Sequence, residues 1–172
     1  YQKEDEIYYQ TIFAKEGGAK AAPTAGLHFS DDLLVKLKNK GIEIAFIRLF
    51  VSLATFEPIK TTYIEDHPMH QESFYIEEEE AEKINQALKE NRRIIAVGTT
   101  VVRALESAFN HDKILFGYQT TKLFITPGYS FKVVKGLITN FHTPYSTLLL
   151  MVSAFMGKDF MIKCYQEAMK EK

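Results

Sequence analysis

The chain has 172 residues, of which 46% are apolar, 21 are basic and 22 are acidic. A chain of this length buries roughly 70% of the surface that it exposes when unfolded, so a single domain with a substantial core is expected. The charge balance excludes a surface built throughout to neutralise phosphates, and the single cysteine excludes both an internal disulfide and a zinc site of several thiolates.

Apolar spacing and turn residues divide the chain into extended and helical segments. The first helix is well delimited, because Ser30 is a good cap, Asp31 and Asp32 suit the first turn, and Gly41 is a typical stop. In chain order the sequence predicts that helix, a buried strand at 42–53, an exposed loop at 61–72, a strand at 74–76, a helix at 77–91, a strand at 93–97, a helix at 101–109, strands at 123–125 and 136–141, and helices at 147–155 and 159–171.

Strands that alternate with helices predict an α/β fold, with a layered and mainly parallel sheet flanked by helices. We expect residues 1–172 to form one α/β domain that is an incomplete fragment of a longer two-domain protein, since the chain opens with Tyr1 instead of Met. No apolar run reaches the roughly 20 residues that cross a bilayer and no secretory signal opens the chain, so no membrane is expected. The lone Cys164 fits a reducing cytoplasm, which is the predicted location.

The turn between the strand at 93–97 and the next helix is a candidate ligand site. Backbone amides at a helix start form a local positive site, so Gly98, Thr99 and Thr100 are suited to a carboxylate, a phosphate or a ribose edge. The alternative is a tight packing turn capped by threonine. Arg103 and Glu106 lie three residues apart on one helix face, so they either pair with each other or meet a ligand.

Three histidines and one carboxylate are candidates for proton transfer. His28 ends a small-residue loop just before a helix start, where the helix dipole favours the neutral base form; the alternative is a structural histidine. His67, His70 and Glu72 form a loop cluster suited to passing protons or binding a metal. Metal is the less favoured of the two, because no third ligand and no helical frame are visible, and no metal ligand is predicted.

Two polar residues follow the strand predicted at 136–141. Asn140 and His142 lie where α/β folds place ligand groups, at the end of a strand and before the helix capped by Ser146. The alternative is that both residues only form the turn.

Five motifs occur together and in order along the chain. They are APTAGLHF at 22–29, HPMHQE at 67–72, GTTVVRALES at 98–107, FITPGY at 124–129 and LITNFH at 137–142. Together they closely resemble the S-adenosylmethionine:tRNA ribosyltransferase-isomerases of queuosine biosynthesis. The resemblance covers residues 8 to about 155.

The resemblance implies an α/β domain that carries a separate β-barrel domain, which is absent from this chain. It implies a transferase that isomerises the ribosyl moiety of S-adenosylmethionine and attaches it to 7-aminomethyl-7-deazaguanine in tRNA, giving epoxyqueuosine-tRNA with release of adenine and methionine. S-adenosylmethionine is then a co-substrate, and no cofactor is expected. The sequence pattern, which shows no obvious apolar patch, favours a monomer.

The resemblance also assigns roles to the candidate residues. His28 or His70 is expected to act as the base that removes a C5′ proton, with Glu72 orienting or charging its partner. The substrate-binding residues expected from it are Thr24, Gly26, Gly98, Thr99, Thr100, Arg103, Asn140 and His142.

Some positions depart from the family pattern. A His-Val-Gly type strand end followed by Gly-Thr-Phe is usual, where Phe50, Ser52 and Ala54 replace a histidine and two glycines; Lys122 replaces an acidic or neutral residue. An altered pocket with reduced or shifted activity is the expected consequence. Two rival functions remain open at this point, a methyltransferase and an α/β binding module without chemistry.

Overall fold

The computed structural model describes residues 10–14, 23–51 and 58–171. The helices are α1 (Asp31–Asn39), α2 (Glu78–Lys89), α3 (Thr99–Ala108), α4 (Thr147–Met156) and α5 (Lys158–Lys170). The strands are β1 (Arg48–Phe50), β2 (Glu72–Ile76), β3 (Ile95–Val97), β4 (Phe109–Asn110), β5 (Lys113–Ile114), β6 (Gly117–Thr121) and β7 (Gly136–Ile138). Short 3-10 turns lie at Thr24–His28 and Ile64–Asp66.

Local capping chemistry fixes where two of these helices begin. The side chain of Ser30 accepts a hydrogen bond from the backbone nitrogen of Leu33 at 3.2 Å, and Ser146 accepts one from Leu149 at 3.1 Å. Each bond satisfies one of the amides that a first helical turn leaves without a partner. The predicted starts of α1 and α4 are therefore confirmed.

The strands form three small sheets in the described part of the chain. β1, β2 and β6 make an antiparallel sheet in that order, β3 and β7 make a parallel pair, and β4 and β5 make a hairpin. The α/β class is confirmed, but the prediction of a mainly parallel sheet is wrong. Among the described strands only β3 and β7 pair in parallel, whereas the three-stranded sheet and the hairpin are antiparallel.

Two strand predictions were misplaced. The segment 42–53 holds only the three-residue edge strand β1, and Ile42 is 48% exposed, so its described part is not a buried strand; residues 52–53 lie outside the described residues. Residues 123–125 form no strand; the backbone there accepts a hydrogen bond from Arg103 instead. β6, which the sequence analysis missed, alternates exposed polar residues with inward ones and so lacks an apolar run.

The core lies where the antiparallel sheet packs against α2 and α3. Its buried apolar residues include Phe74, Ile76, Ala81, Ile84, Val102, Leu105, Ile114, Ile125, Val133, Val134 and Met151. This packing holds the amino end of α3 in a fixed place relative to the sheets. No helix in the described part of the chain is both long and apolar enough to cross a membrane.

A buried carboxylate organises the segment that leads into β7. Glu106 on α3 accepts hydrogen bonds from the backbone nitrogens of Lys132, Val133 and Val134, at 2.9 to 3.0 Å, and from the hydroxyl of Tyr129 at 3.1 Å. Its carboxylate thus replaces a strand partner for three consecutive amides. Glu106 therefore does not serve as the partner of Arg103 that helical spacing allowed.

Candidate active site

The parallel pair β3 and β7 places two chain segments at one edge. Val97 lies opposite Ile138 in the register, and the nitrogen of Gly98 donates to the oxygen of Ile138 at 2.9 Å. The carboxyl ends of both strands therefore meet, with the start of α3 following one and residues 139–143 following the other. In α/β folds this edge is where ligands bind.

A cavity of about 310 Å³ opens at this edge. It is lined by residues 23–25, 97–101 and 139–143, together with Leu49, Val51, Ser146 and Leu148. Val51 is buried and immediately follows Phe50, one of the positions that depart from the family pattern; Ser52 and Ala54 lie outside the described residues. Phe50 itself is half-exposed, and its ring lies 6.0 Å from that of Tyr118.

The start of α3 contributes backbone amides to the cavity. Its cap position, Gly98, has no side chain to accept from the first-turn amides, so within the described residues no side chain caps the amides of Thr99 and Thr100. Gly98 has φ +101°, which disfavours a side chain, and a Cβ there would lie 3.9 Å from the Cβ of Ala25. The loop that contains Thr24 and Ala25 thus lies beside the strand edge.

His28 reaches the same site through Asn140. The Asn140 Nδ2 atom lies 3.0 Å from the His28 Nε2 atom, a contact between residues 112 positions apart in the chain. His28 is exposed and does not itself line the cavity, whereas Asn140 does. The Asn140 Oδ1 atom is buried and accepts no hydrogen bond from the described residues. A carbonyl oxygen in that position is suited to a donor that a ligand supplies.

His142 forms the adjoining wall. Its Nε2 atom lies 3.1 Å from the hydroxyl oxygen of Thr139, and its backbone nitrogen donates to the hydroxyl of Tyr165 at 2.8 Å. Burial lowers the pKa of His142, because the cavity wall solvates the imidazolium poorly. The side chain is therefore neutral at pH 7 and takes part in hydrogen bonds instead of carrying charge.

Arg103 and Glu72 lie apart from the cavity. The Arg103 Nη1 atom is 2.7 Å from the Glu72 Oε2 atom, and both side chains are 2% exposed. Arg103 also donates to the backbone oxygens of Leu123 at 2.9 Å and His70 at 3.3 Å. Burial lowers the pKa of Arg103, and Glu72 opposes that shift. The guanidinium is occupied by the protein itself, which runs against the predicted roles of Arg103 as a ligand counter-charge and of Glu72 in catalysis.

His70 is half-buried and also stays outside the cavity lining. Its ring centroid lies 6.5 Å from that of His67, whose ring is 5.7 Å from that of Phe124. The loop before β2 therefore packs against Phe124, which follows β6. Within the described residues no three His, Cys, Asp or Glu side chains gather in an arrangement suited to a metal ion.

Six of the predicted substrate-binding residues line one cavity. They are Thr24, Gly98, Thr99, Thr100, Asn140 and His142. Gly26 is instead a packing position, since a Cβ there would lie 3.0 Å from Thr11. Sequence reasoning missed Thr139 and Tyr165; Thr139 adjoins the predicted pair in the chain, but nothing in the local sequence marks Tyr165 on α5 as a partner of this loop.

The sequence matches one protein family and is similar to two enzymes. All of it, residues 1–172, matches the family described as queuosine biosynthesis protein. The S-adenosylmethionine:tRNA ribosyltransferase-isomerase of Carboxydothermus hydrogenoformans is 52% identical over 166 residues, which make up 96% of this chain and 49% of that protein. The enzyme of the same name from Natranaerobius thermophilus is 51% identical over 170 residues, 98% of this chain and 50% of that protein.

A solved structure shows the same fold. The crystal structure of the S-adenosylmethionine tRNA ribosyltransferase from Thermotoga maritima matches with a TM-score of 0.69 at 39% identity, over 86% of this chain and 46% of that one. The chain thus spans about half the length of the relatives that it matches.

Proposed function

The chain belongs to the queuosine biosynthesis protein family, and from this premise we propose that it forms part of an S-adenosylmethionine:tRNA ribosyltransferase-isomerase. The reaction transfers and isomerises the ribosyl moiety of S-adenosylmethionine to 7-aminomethyl-7-deazaguanine in tRNA. The products are epoxyqueuosine-tRNA, adenine and methionine. The identity of 51 to 52% to enzymes of that name, over almost the whole chain, supports the proposal.

The observation that carries the proposal is the cavity at the shared carboxyl edge of β3 and β7. It combines a helix start at Gly98, which no described side chain caps, with the side chains of Asn140 and His142. Helix amides attract anions, so Thr99 and Thr100 with their amides suit the methionyl carboxylate or a ribose edge of S-adenosylmethionine. The buried Oδ1 atom of Asn140 suits an N–H donor of the same molecule.

His28 is the base that we favour. The sulfonium of S-adenosylmethionine acidifies the neighbouring C5′ protons, so a positioned imidazole can remove one of them while adenine departs. The hydrogen bond between His28 and Asn140 places that imidazole beside the cavity, whereas His70 lies outside the lining. His142, neutral through burial, is assigned to hold the co-substrate by hydrogen bonding.

The buried pair of Glu72 and Arg103 has a supporting role in this scheme. By joining α3 to the start of β2 and to the backbone at Leu123, it fixes the helix whose first turn forms the anion site. Since tRNA is the acceptor, the cytoplasm is the proposed location. We further propose a monomer that consumes S-adenosylmethionine as co-substrate and uses no cofactor.

Product analysis of the full-length protein tests the function. The protein is incubated with S-adenosylmethionine and with tRNA that carries 7-aminomethyl-7-deazaguanine, and small molecules are separated by chromatography. Free adenine with modified tRNA supports the transferase. S-adenosylhomocysteine shows a methyltransferase instead, and the absence of both products shows a binding module.

A pair of histidine variants tests the site. His28→Ala is expected to lower the rate of adenine release by roughly 10² to 10⁴, the usual contribution of a general base. The control is His111→Asn, because His111 is exposed in the β4–β5 hairpin and its positive φ of 57° suits asparagine. Normal turnover by His28→Ala would remove His28 from the mechanism.

A further inference from the structure

Tyr145 has an unusual backbone conformation beside the cavity. Its φ is +59°, in the left-handed region that is unfavourable for a residue with a Cβ atom. In the described part of the chain the other residues with a positive φ, glycines apart, are Asn91 and His111. Asparagine and histidine are enriched in this region, whereas a bulky tyrosine is rare there. Strained residues of this kind are concentrated at active sites and binding sites, so Tyr145 is a candidate for a functional role.

Hydrogen bonds on both sides of Tyr145 hold it in this conformation. Its carbonyl oxygen accepts a hydrogen bond from the backbone nitrogen of Ile59 at 2.7 Å. The hydroxyl of Ser146, the next residue, donates to the carbonyl oxygen of Thr143 at 2.9 Å and also caps α4. Because Thr143 and Ser146 both line the cavity, Tyr145 is held at its edge.

The Tyr145 ring is left in solvent by this arrangement. The residue is 78% exposed, the largest fraction among the large apolar and aromatic side chains that the structure describes. Burial of the ring therefore does not offset the backbone strain. Phe141, which lines the cavity from the same loop, is 64% exposed. Two exposed rings thus flank the cavity, and Tyr145 stands outside the space that its lining residues enclose.

We infer that Tyr145 is a stacking platform for an unpaired base of the proposed tRNA substrate. Unpaired bases in RNA loops are recognised by stacking on aromatic side chains, and a ring on a fixed backbone loses little freedom on binding. Lys60 is exposed and adjoins Ile59, the residue bonded to Tyr145, so its charge suits a phosphate of the same RNA. The identification of the RNA as tRNA rests on the proposed function, whereas the binding itself is measured without turnover.

Tyr145→Asn separates the ring from the backbone, because asparagine tolerates the left-handed region and has no aromatic face. The full-length protein is titrated, without S-adenosylmethionine, against a fluorescent RNA hairpin whose loop carries 7-aminomethyl-7-deazaguanine. Fluorescence anisotropy gives the Kd, which is expected to rise at least about fivefold in Tyr145→Asn, the lower limit for one base stacked on an aromatic ring. Tyr145→Phe keeps the ring and should bind as the unsubstituted protein does. An unchanged Kd in Tyr145→Asn overturns the inference.

Thermal unfolding distinguishes a ring that is free to stack from one that is packed. Relief of the backbone strain is expected to raise the melting temperature of full-length Tyr145→Asn by roughly 2 °C. A lower melting temperature would show that another part of the protein packs against the ring, which contradicts the inference. His111→Asn is the matched control, since it changes a residue with a φ of +57° outside the cavity lining and should leave the Kd for the hairpin unchanged.

Two further ligands test whether the ring recognises an unpaired base. Tyr145→Asn should leave the affinity for a fully paired RNA duplex and the affinity for S-adenosylmethionine alone unchanged. A loss of duplex affinity would show a contact with the RNA backbone, and a loss of S-adenosylmethionine affinity would place the ring in the co-substrate site. Either result refutes the stacking role.

Adenine release separates this inference from the proposed function. If the unsubstituted protein releases no adenine but its affinity for the hairpin still depends on Tyr145, the proposed function fails and the stacking role stands. If adenine release is normal and the affinity for the hairpin does not depend on Tyr145, the proposed function stands and the stacking role fails.

Discussion

The guanidinium of Arg103 and the carboxylate of Glu72 lie 2.7 Å apart with both side chains 2% exposed. Removing two charges from water is costly, and their attraction repays that cost only when further hydrogen bonds complete the arrangement. Arg103 has such bonds to the backbone at Leu123 and His70. The pair therefore joins α3 to two neighbouring segments, and breaking it on one side leaves a buried charge.

Glu72→Ala is expected to lower the free energy of unfolding by about 3 to 5 kcal/mol, because the cation of Arg103 stays buried without its counter-charge. Urea denaturation followed by circular dichroism measures the loss. A Glu72→Leu, Arg103→Met double variant removes both charges and should recover part of that loss. A Glu72→Ala protein that is as stable as the unsubstituted one yet releases no adenine would show instead that Glu72 acts in the chemistry.

Tyr129 gives a prediction at alkaline pH. Burial and, next, the neighbouring Glu106 raise the pKa of Tyr129 from 10.0 to about 12. The folded state holds this proton more tightly than the unfolded state. The contribution of Tyr129 to the free energy of unfolding is therefore complete below pH 10 and is lost as the pH rises from 10 to about 12. Tyr129→Phe should lack this part of the alkaline loss. The difference between the two stability profiles measures it, and parallel profiles over that range would contradict the assignment.

Elements set by neighbouring residues were predictable from the sequence, and pairings across the chain were not. Ser30 and Ser146 mark helix starts because the cap and the amide that it satisfies are three residues apart. The polar strand β6 carries no apolar run, and its place in the sheet depends on β2. The motifs located the cavity. They did not show that Arg103 lies outside the cavity, because its ion pair with Glu72 depends on the folded structure.

The burial of His142 predicts a change in folding stability as the pH falls below 7. Burial lowers the pKa of His142 below its usual 6.5, so the unfolded chain binds this proton more readily than the folded one. The neutral side chain contributes to the free energy of unfolding above pH 6.5. This contribution is lost as the pH falls through the lower pKa of the folded state. His142→Gln, which has no titrating group, should lose less stability between pH 7 and pH 5. Equal losses in both proteins would show that His142 is not buried as described.

Gly98 and Gly128 form a matched pair for testing the start of α3. Both have a positive φ, +101° and +99°, so alanine at either position carries backbone strain of about 1 to 3 kcal/mol. Gly98→Ala also disturbs the amides that line the cavity, so it should raise the KM for S-adenosylmethionine at least about tenfold, whereas Gly128→Ala should leave KM unchanged. Initial rates of adenine release measure both. Equal KM values in the two variants would remove the helix start from the binding site.

Tyr165 tests whether α5 holds the cavity loop from behind. Its hydroxyl accepts a hydrogen bond from the backbone nitrogen of His142 at 2.8 Å, and its ring packs edge-on against Phe141 with centroids 4.8 Å apart. Tyr165→Phe keeps the ring contact and removes the acceptor, at an expected cost of about 0.5 to 1.5 kcal/mol in the free energy of unfolding.

Because the freed amide belongs to the wall that contains Asn140 and His142, the same variant should bind S-adenosylmethionine more weakly than stability alone explains. Isothermal titration at a temperature where both proteins are fully folded measures this effect. Tyr118→Phe is the control, since Tyr118 is exposed on β6 and does not line the cavity. If Tyr165→Phe and Tyr118→Phe bind equally well, the hydrogen bond to His142 stabilises α5 only and does not shape the site.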